Sequence, residues 1–178
     1  MIRYQQYEND DSMAHEQHAA LRMQQHWRGL VRPAEQFLPY DRVLVDTDGS
    51  TAALVEIKVR RYPMQFFIER RFMISHSKVR SLCAAAKQRE CVPLIMVVCD
   101  DADFLIDLRD ETGVTVKEVQ GINDRWRDDE TDVAVRRVDA MNHNYVDQQT
   151  GEIQWRAEHM VFFAGHRFLP LFTLPSLF

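Results

Sequence analysis

Cysteine is scarce in this chain of 178 residues: Cys83, Cys91 and Cys99 are odd in number and have no CxxC spacing. That excludes a disulfide framework and a cysteine-ligated zinc site and leaves plain reduced or buried thiols. No apolar run approaches the ~18 residues that a membrane-spanning helix needs. The first residues are polar and acidic and lack the apolar core of a signal peptide, so the protein is expected in the cytoplasm. Neither a G-x-x-x-x-G-K-[ST] nor a G-x-G-x-x-G pattern occurs, which removes support for ATP or dinucleotide dependence. The histidines do not cluster with ligand spacing: His15, His18 and His26 share one expected helix, but only His15 and His18 are close. The charged segment 124–132 has no glycine and mixes signs too evenly for a calcium loop. Internal repeats, low-complexity stretches and composition breaks are missing as well, so residues 1–178 read as one domain.

What is present is a globular composition, 46% hydrophobic and 28% charged. The net charge of −5 argues against a general nucleic-acid coat protein. It leaves room for a metal site, which itself needs carboxylates.

A helix is expected from Ser12, a plausible N-cap, to about Arg28, with Met13, Ala20, Met23, Trp27 and Leu30 on its core face. Glu16 falls on that same face. It reads either as a first-turn glutamate complementing the helix dipole or as an inward, functional carboxylate. Residues 31–40 form a connection, and a hairpin follows. Arg42 to Val45 is strand-like, Thr47-Asp48-Gly49-Ser50 is a turn signal, and Ala52 to Val59 returns. An even loop makes paired residue numbers sum to 97 and sets Asp41 opposite Glu56, with Cβ atoms about 4.5–5.5 Å apart. Alternation then puts Val43, Val45, Leu54, Glu56 and Lys58 on the face of Asp41. An odd loop would break this arrangement.

Beyond the hairpin, Phe72-Met73-Ile74 reads as a short extended piece. Ser75 or Ser77 is a cap for a helix to about Glu90, with Val79, Leu82, Cys83 and Ala86 inward. The run Leu94 to Cys99, preceded by Pro93, has the pattern of a strand buried on both faces, and Phe104-Leu105-Ile106 is an antiparallel return. Val114 to Val116 is a weak strand. A second hairpin is expected around 145–155, then a separate strand Met160 to Phe163. The apolar tail to Phe178 suits a packed terminus or a contact between two copies, so a homodimer is one expectation.

Asp41, Glu56 and Lys58 carry chemistry as a group. Two carboxylates about 5 Å apart stay ionised together readily only with a cation between them. Oxygen donors on a partly hydrated site favour Mg²⁺, with Mn²⁺ as substitute, and the Ile57 backbone carbonyl adds a neutral donor. Lys58 orients or deprotonates an attacking water, or stabilises charge on phosphorus. Arg60 and Arg61 are positioned to hold a nucleic-acid backbone, and Lys78, in the first turn of the second helix, to hold a phosphate.

Pro39-Tyr40-Asp41, fourteen intervening residues, and Glu56-Ile57-Lys58, flanked by a helix before and a helix and strand after, resemble the PD-(D/E)XK nuclease superfamily. Tyr40 stands where the motif has proline, a position without a chemical role. The resemblance implies a mixed α/β fold (α+β), with a restriction-endonuclease-like αβββαβ core over about residues 12–107. The extension over about 108–178 would carry further strands of the same domain. It further implies Mg²⁺-dependent phosphodiester hydrolysis, on DNA rather than RNA, with Asp41 and Glu56 as metal ligands, Lys58 serving the water and Glu16 as a fourth, variable member. Residues 72–78, 92–98 and 124–129 are also similar to small phage-type members. The alternative expectation is a nuclease-like fold without activity that binds nucleic acid or regulates.

Overall fold

The computed structural model describes residues 10–36, 38–109, 133–146 and 153–178, with 10–13, 133–146 and 153–159 described by their backbone alone. The expected strand at 114–116 and the charged loop at 123–132 lie outside the described residues. The chain is mixed α and β. Helix α1 (Asp10–His26) leads into strands β1 (Leu30–Pro33), β2 (Arg42–Val45) and β3 (Thr51–Val59). Next come helix α2 (Met64–Arg70), β4 (Phe72–Ser75), helix α3 (His76–Gln88), β5 (Val92–Val98) and β6 (Asp103–Asp107). Strands β7 (Val133–Val146), β8 (Ile153–Phe163) and β9 (Leu169–Pro170) follow, and the chain closes in a 3-10 stretch, Leu171–Leu177.

The main sheet has the order β1-β2-β3-β5-β6-β9. Its β3–β5 pair is parallel, joined through α3; the neighbouring pairs are antiparallel. A second, antiparallel sheet has the order β4-β8-β7. Strand β5 is buried on both faces, as its unbroken apolar run requires. Ile95 and Val97 join one buried cluster, with Leu54 and with Val79, Leu82, Cys83 and Ala86 of α3. Leu94, Met96 and Val98 join the other, with Ala53, Val55 and Ile57 of β3 and Ala19, Met23 and Trp27 of α1. So α3 and α1 cover opposite faces of one sheet. Each fully buried aliphatic side chain here contributes roughly 1.5–3 kcal/mol.

Several elements depart from expectation. The 31–40 connection contains a strand, β1, and Leu30 lies exposed on it rather than on the core face of α1. Helix α2 occupies a stretch whose arginines obscure its period; Phe67 is its buried residue. Pro93 lies inside β5, before the β6 ladder begins at Leu94, so its missing N–H breaks no bond of that ladder. Residues 160–163 continue β8 instead of forming a separate strand, and they pair with β4. The tail packs: Leu171 and Leu174 are buried, and Phe178 meets Trp27 edge-on with ring centroids 4.9 Å apart. Ser75 precedes α3 but makes no side-chain cap; its Oγ lies 2.8 Å from Ser77 Oγ.

The first hairpin departs most instructively. The Asp46 amide donates to Ser50 O at 2.8 Å, so the loop proper is Thr47-Asp48-Gly49, an odd length. Val45 therefore pairs with Thr51, one step off the expected register. A bulge between Leu44 and Val45 then restores it, and Leu44, Val43 and Arg42 face Ala53, Leu54 and Val55. Gly49 closes the loop at φ +87°, a left-handed conformation that such three-residue hairpins use.

Two glycines are required for different reasons. A Cβ on Gly29 would sit 1.9 Å from Val45 O, the carbonyl that accepts the Trp27 indole N–H at 2.9 Å. At Gly49 a Cβ has open space but the wrong backbone angle. Gly29→Ala is expected to cost about 1–3 kcal/mol by steric displacement, and Gly49→Ala about 1–2 kcal/mol by backbone strain. Thermal denaturation separates them: Gly49→Asn regains most of the loss, because asparagine tolerates the left-handed region, whereas Gly29→Asn is worse than Gly29→Ala.

Candidate functional site

The site forms where β2 parts from β3. Their ladder ends at Arg42 opposite Val55. Past that point the β3 backbone has lost its partner on this side, and buried amides must be satisfied. Asp41 supplies the bond: its Oδ2 accepts from the Ile57 N–H at 2.6 Å, while its own amide donates to Val55 O at 2.9 Å. The aspartate thus completes the sheet with its side chain. This holds the carboxylate beside Glu56, as the register carried one step past Arg42 requires.

Glu56 is 3% exposed and is the buried charged side chain among the described residues. An unpaired charge there would cost several kcal/mol. Two ammonium groups compensate it: Lys58 Nζ lies 2.5 Å and Lys78 Nζ 2.7 Å from the same Oε1. Lys58 comes from two residues along β3, on the same face by alternation, and also donates to Ile57 O at 3.2 Å. Lys78 comes from the first turn of α3, above that face, and keeps about half its side chain in solvent.

These neighbours divide the titration. Burial, then the Glu56 charge, raises the Asp41 pKa above the usual carboxylate value, only partly offset by the Ile57 hydrogen bond and the two lysines. Burial opposes ionisation of Glu56 too, but Lys58 and Lys78 outweigh it and hold its pKa low. Burial lowers the pKa of Lys58 despite Glu56 beside it. Burial also works against the charge of Lys78, yet Glu56 outweighs it and the pKa is raised. The group therefore comprises a firmly ionised Glu56, an Asp41 that takes a proton more readily, and a lysine that gives one up more readily.

The remaining expected residues fare differently. Glu16 is half-buried on the helical face of Ala19, Ala20, Met23 and Trp27, so it does point inward. However, α1 lies on the opposite face of the sheet from Lys58 and Lys78, and the leading charges acting on Asp41 are Glu56, Lys58 and Lys78. Arg60 is engaged by the fold: its guanidinium lies over the Phe72 ring at 5.7 Å and Nη1 donates to Val59 O at 3.0 Å. Arg61 is exposed. Lys78, expected on a phosphate, is paired with Glu56 in this structure. That role was readable only by knowing that α3 packs on the Glu56 face of β3.

The donor set, two carboxylates and the Ile57 carbonyl, fits a small oxygen-loving cation that keeps several waters. Among the described residues no group of three or more His, Cys, Asp or Glu side chains converges as a metal site. Compared with protein-family models, curated proteins and solved structures, the chain matches none.

The Asp41 shift sets a stability test. In the fold its carboxyl holds a proton to higher pH than the unfolded value near 3.9. Its ionisation therefore removes stability as pH rises through the folded pKa. Asn keeps the oxygen that accepts from Ile57. With a chelator present, Asp41→Asn is expected to melt above wild type at pH 7–8, with the gap closing as pH falls below about 4. Melting curves across pH check this; a gap independent of pH contradicts it.

Proposed function

We infer that the protein is a divalent-metal-dependent nuclease of the PD-(D/E)XK kind, hydrolysing phosphodiester bonds, in DNA rather than RNA. The observation that carries this reading is Asp41 and Glu56 held side by side at the parting of β2 and β3, with the Lys58 ammonium, from two residues on, against Glu56. With α2 and β4 set aside as an insertion between β3 and α3, the order α1, β1, β2, β3, α3, β5, with β3 and β5 parallel, is consistent with a restriction-endonuclease-like αβββαβ core. Strands β7 and β8 would be its C-terminal addition.

In this reading Asp41, Glu56 and the Ile57 carbonyl hold Mg²⁺ or Mn²⁺. Such a cation, when bound, lowers the pKa of water and offsets the charge of a phosphate. The chain's own residues do the rest. Asp41 stays fixed because its second role is structural, on the Ile57 amide. Lys58, whose burial works against its charge, is placed two residues from Glu56 to orient the attacking water or, once it has lost its proton, to accept one from it. Lys78, half in solvent, is free to trade Glu56 for the negative charge of the substrate. Arg61 offers a further backbone contact, whereas Arg60 would first have to leave Phe72.

A second reading is a nuclease-like module that binds nucleic acid without cutting it. The Lys78–Glu56 pair favours it, because two lysines already neutralise the carboxylate without a cation. Incubation of plasmid, branched and single-stranded DNA with Mg²⁺ or Mn²⁺ separates the two. The nuclease reading expects metal-dependent cleavage that falls about 10²–10⁴-fold in Lys58→Ala. Lys58→Arg is expected to fail equally, since an arginine does not release its proton. Wild-type protein that neither cuts nor binds metal would sink the enzymatic reading, and full activity in Lys58→Arg would remove the proton-transfer role.

A further inference from the structure

Immediately beyond Lys58 the chain turns into a segment whose aromatic residues the site itself does not use. Residues 60–71 hold four arginines and one glutamate, in a protein of net charge −5. Within it Tyr62 and Phe66 stack, with centroids 4.5 Å apart and planes 16° from parallel. The Arg70 guanidinium lies over the Phe66 ring at 5.6 Å. Phe66 meets Phe67 edge-on at 5.3 Å, and Phe67 is buried against Phe72. The stack is thus rooted in the core at one end, while Tyr62 is 51% exposed at the other.

Its base is fixed by backbone bonds. The Tyr62 carbonyl accepts from the Asp100 amide at 3.1 Å, and Asp101 Oδ1 accepts from the Met64 amide at 2.7 Å. An exposed aromatic ring held this way needs no ordering when a flat partner arrives. The segment also lies on the correct side of the sheet: Phe67, with Met64 and Phe66 packed beside it, belongs to the buried cluster of Leu54, which shares its β3 face with Glu56 and Lys58. Tyr62 is four steps along the chain from Lys58, a reach of at most about 14 Å, or about four stacked nucleotides.

We propose that the Tyr62–Phe66 stack, flanked by Arg61 and Arg70, is a platform on which an unpaired base of a nucleic-acid strand lies next to the carboxylate–lysine site. The proposal deepens the nucleic-acid reading of that site and rests on it, adding the substrate class. Bases inside an uninterrupted duplex have their faces covered and cannot use the ring; a single-stranded segment, a frayed end or a branch can. The arginines supply sequence-independent attraction to phosphates, and the ring supplies a preference for strands with free base faces.

The test is fluorescence anisotropy in chelator, so that no cleavage takes place, using a labelled oligothymidylate and a blunt duplex with wild type, Tyr62→Ala and Tyr62→Trp. Wild type is expected to bind the single strand. Tyr62→Ala should weaken that binding about 5- to 100-fold, as loss of one stacked base does, while duplex binding stays unchanged and Tyr62→Trp retains full affinity. Tyr62→Ala gives up the ring contact with Phe66, so its melting temperature is expected a few degrees below wild type with the fold retained, and Tyr62→Trp should melt close to wild type. The platform is overturned if wild type does not bind the oligonucleotide, if Tyr62→Ala binds it normally, or if both ligands weaken equally. It is also overturned if polyglutamate displaces the strand as well as unlabelled oligonucleotide does, the mark of a surface for acidic peptides. Binding through Tyr62 without metal-dependent cutting would defeat the catalytic reading alone, and cutting with normal binding by Tyr62→Ala would defeat the platform alone.

Discussion

The bond from the Ile57 amide to Asp41 Oδ2 is the constraint on which the site depends. Where two strands part, the longer one is left with unsatisfied backbone groups that must be paired or hydrated. Here the departing strand leaves a carboxylate behind to pair the amide. The same act places a second charge beside Glu56, which lies in a strand whose other buried residues are apolar. Fold and site are therefore one object: moving Asp41 would unsatisfy the sheet, and shifting the register would take Glu56 off the face on which Lys58 and Lys78 reach it.

Electrostatics makes this arrangement costly in isolation. Glu56 is stable as a buried anion because two lysines converge on a single oxygen. Asp41 receives no such ion pair and carries the strain as a raised pKa. Two lysines thus balance two carboxylates in formal charge, but both sit on Glu56 and act on Asp41 only as weaker neighbours. Lys58 is the complement, a cation made less comfortable by burial. Opposed shifts in one small group recur at sites of chemistry, and structural ion-pair networks produce them too.

Much of this was legible in the sequence because it depends on period and register. The alternation of β3 foretold that Leu54, Glu56 and Lys58 share a face, and the unbroken run of β5 foretold a strand covered on both sides. The turn arithmetic reached the observed pairing by a route the sequence did not disclose: the loop is odd, and a bulge beside Leu44 cancels the shift. A bulge depends on how Val45 packs under Trp27 and Gly29, which is a long-range fact. Illegible for the same reason were the side of the sheet taken by α1, hence the place of Glu16, and the partner of Lys78. The interleaving of arginine and aromatic residues over 60–72 was visible, but without α2 it gave no geometry.

Titration of Mn²⁺ into the metal-free protein by calorimetry, with wild type and Asp41→Asn side by side, tests the central claim most directly. Paired carboxylates at the parting of β2 and β3 predict one binding site in wild type and its loss in the variant, with circular dichroism unchanged. A silent wild type, or an isotherm that Asp41→Asn leaves intact, would contradict it.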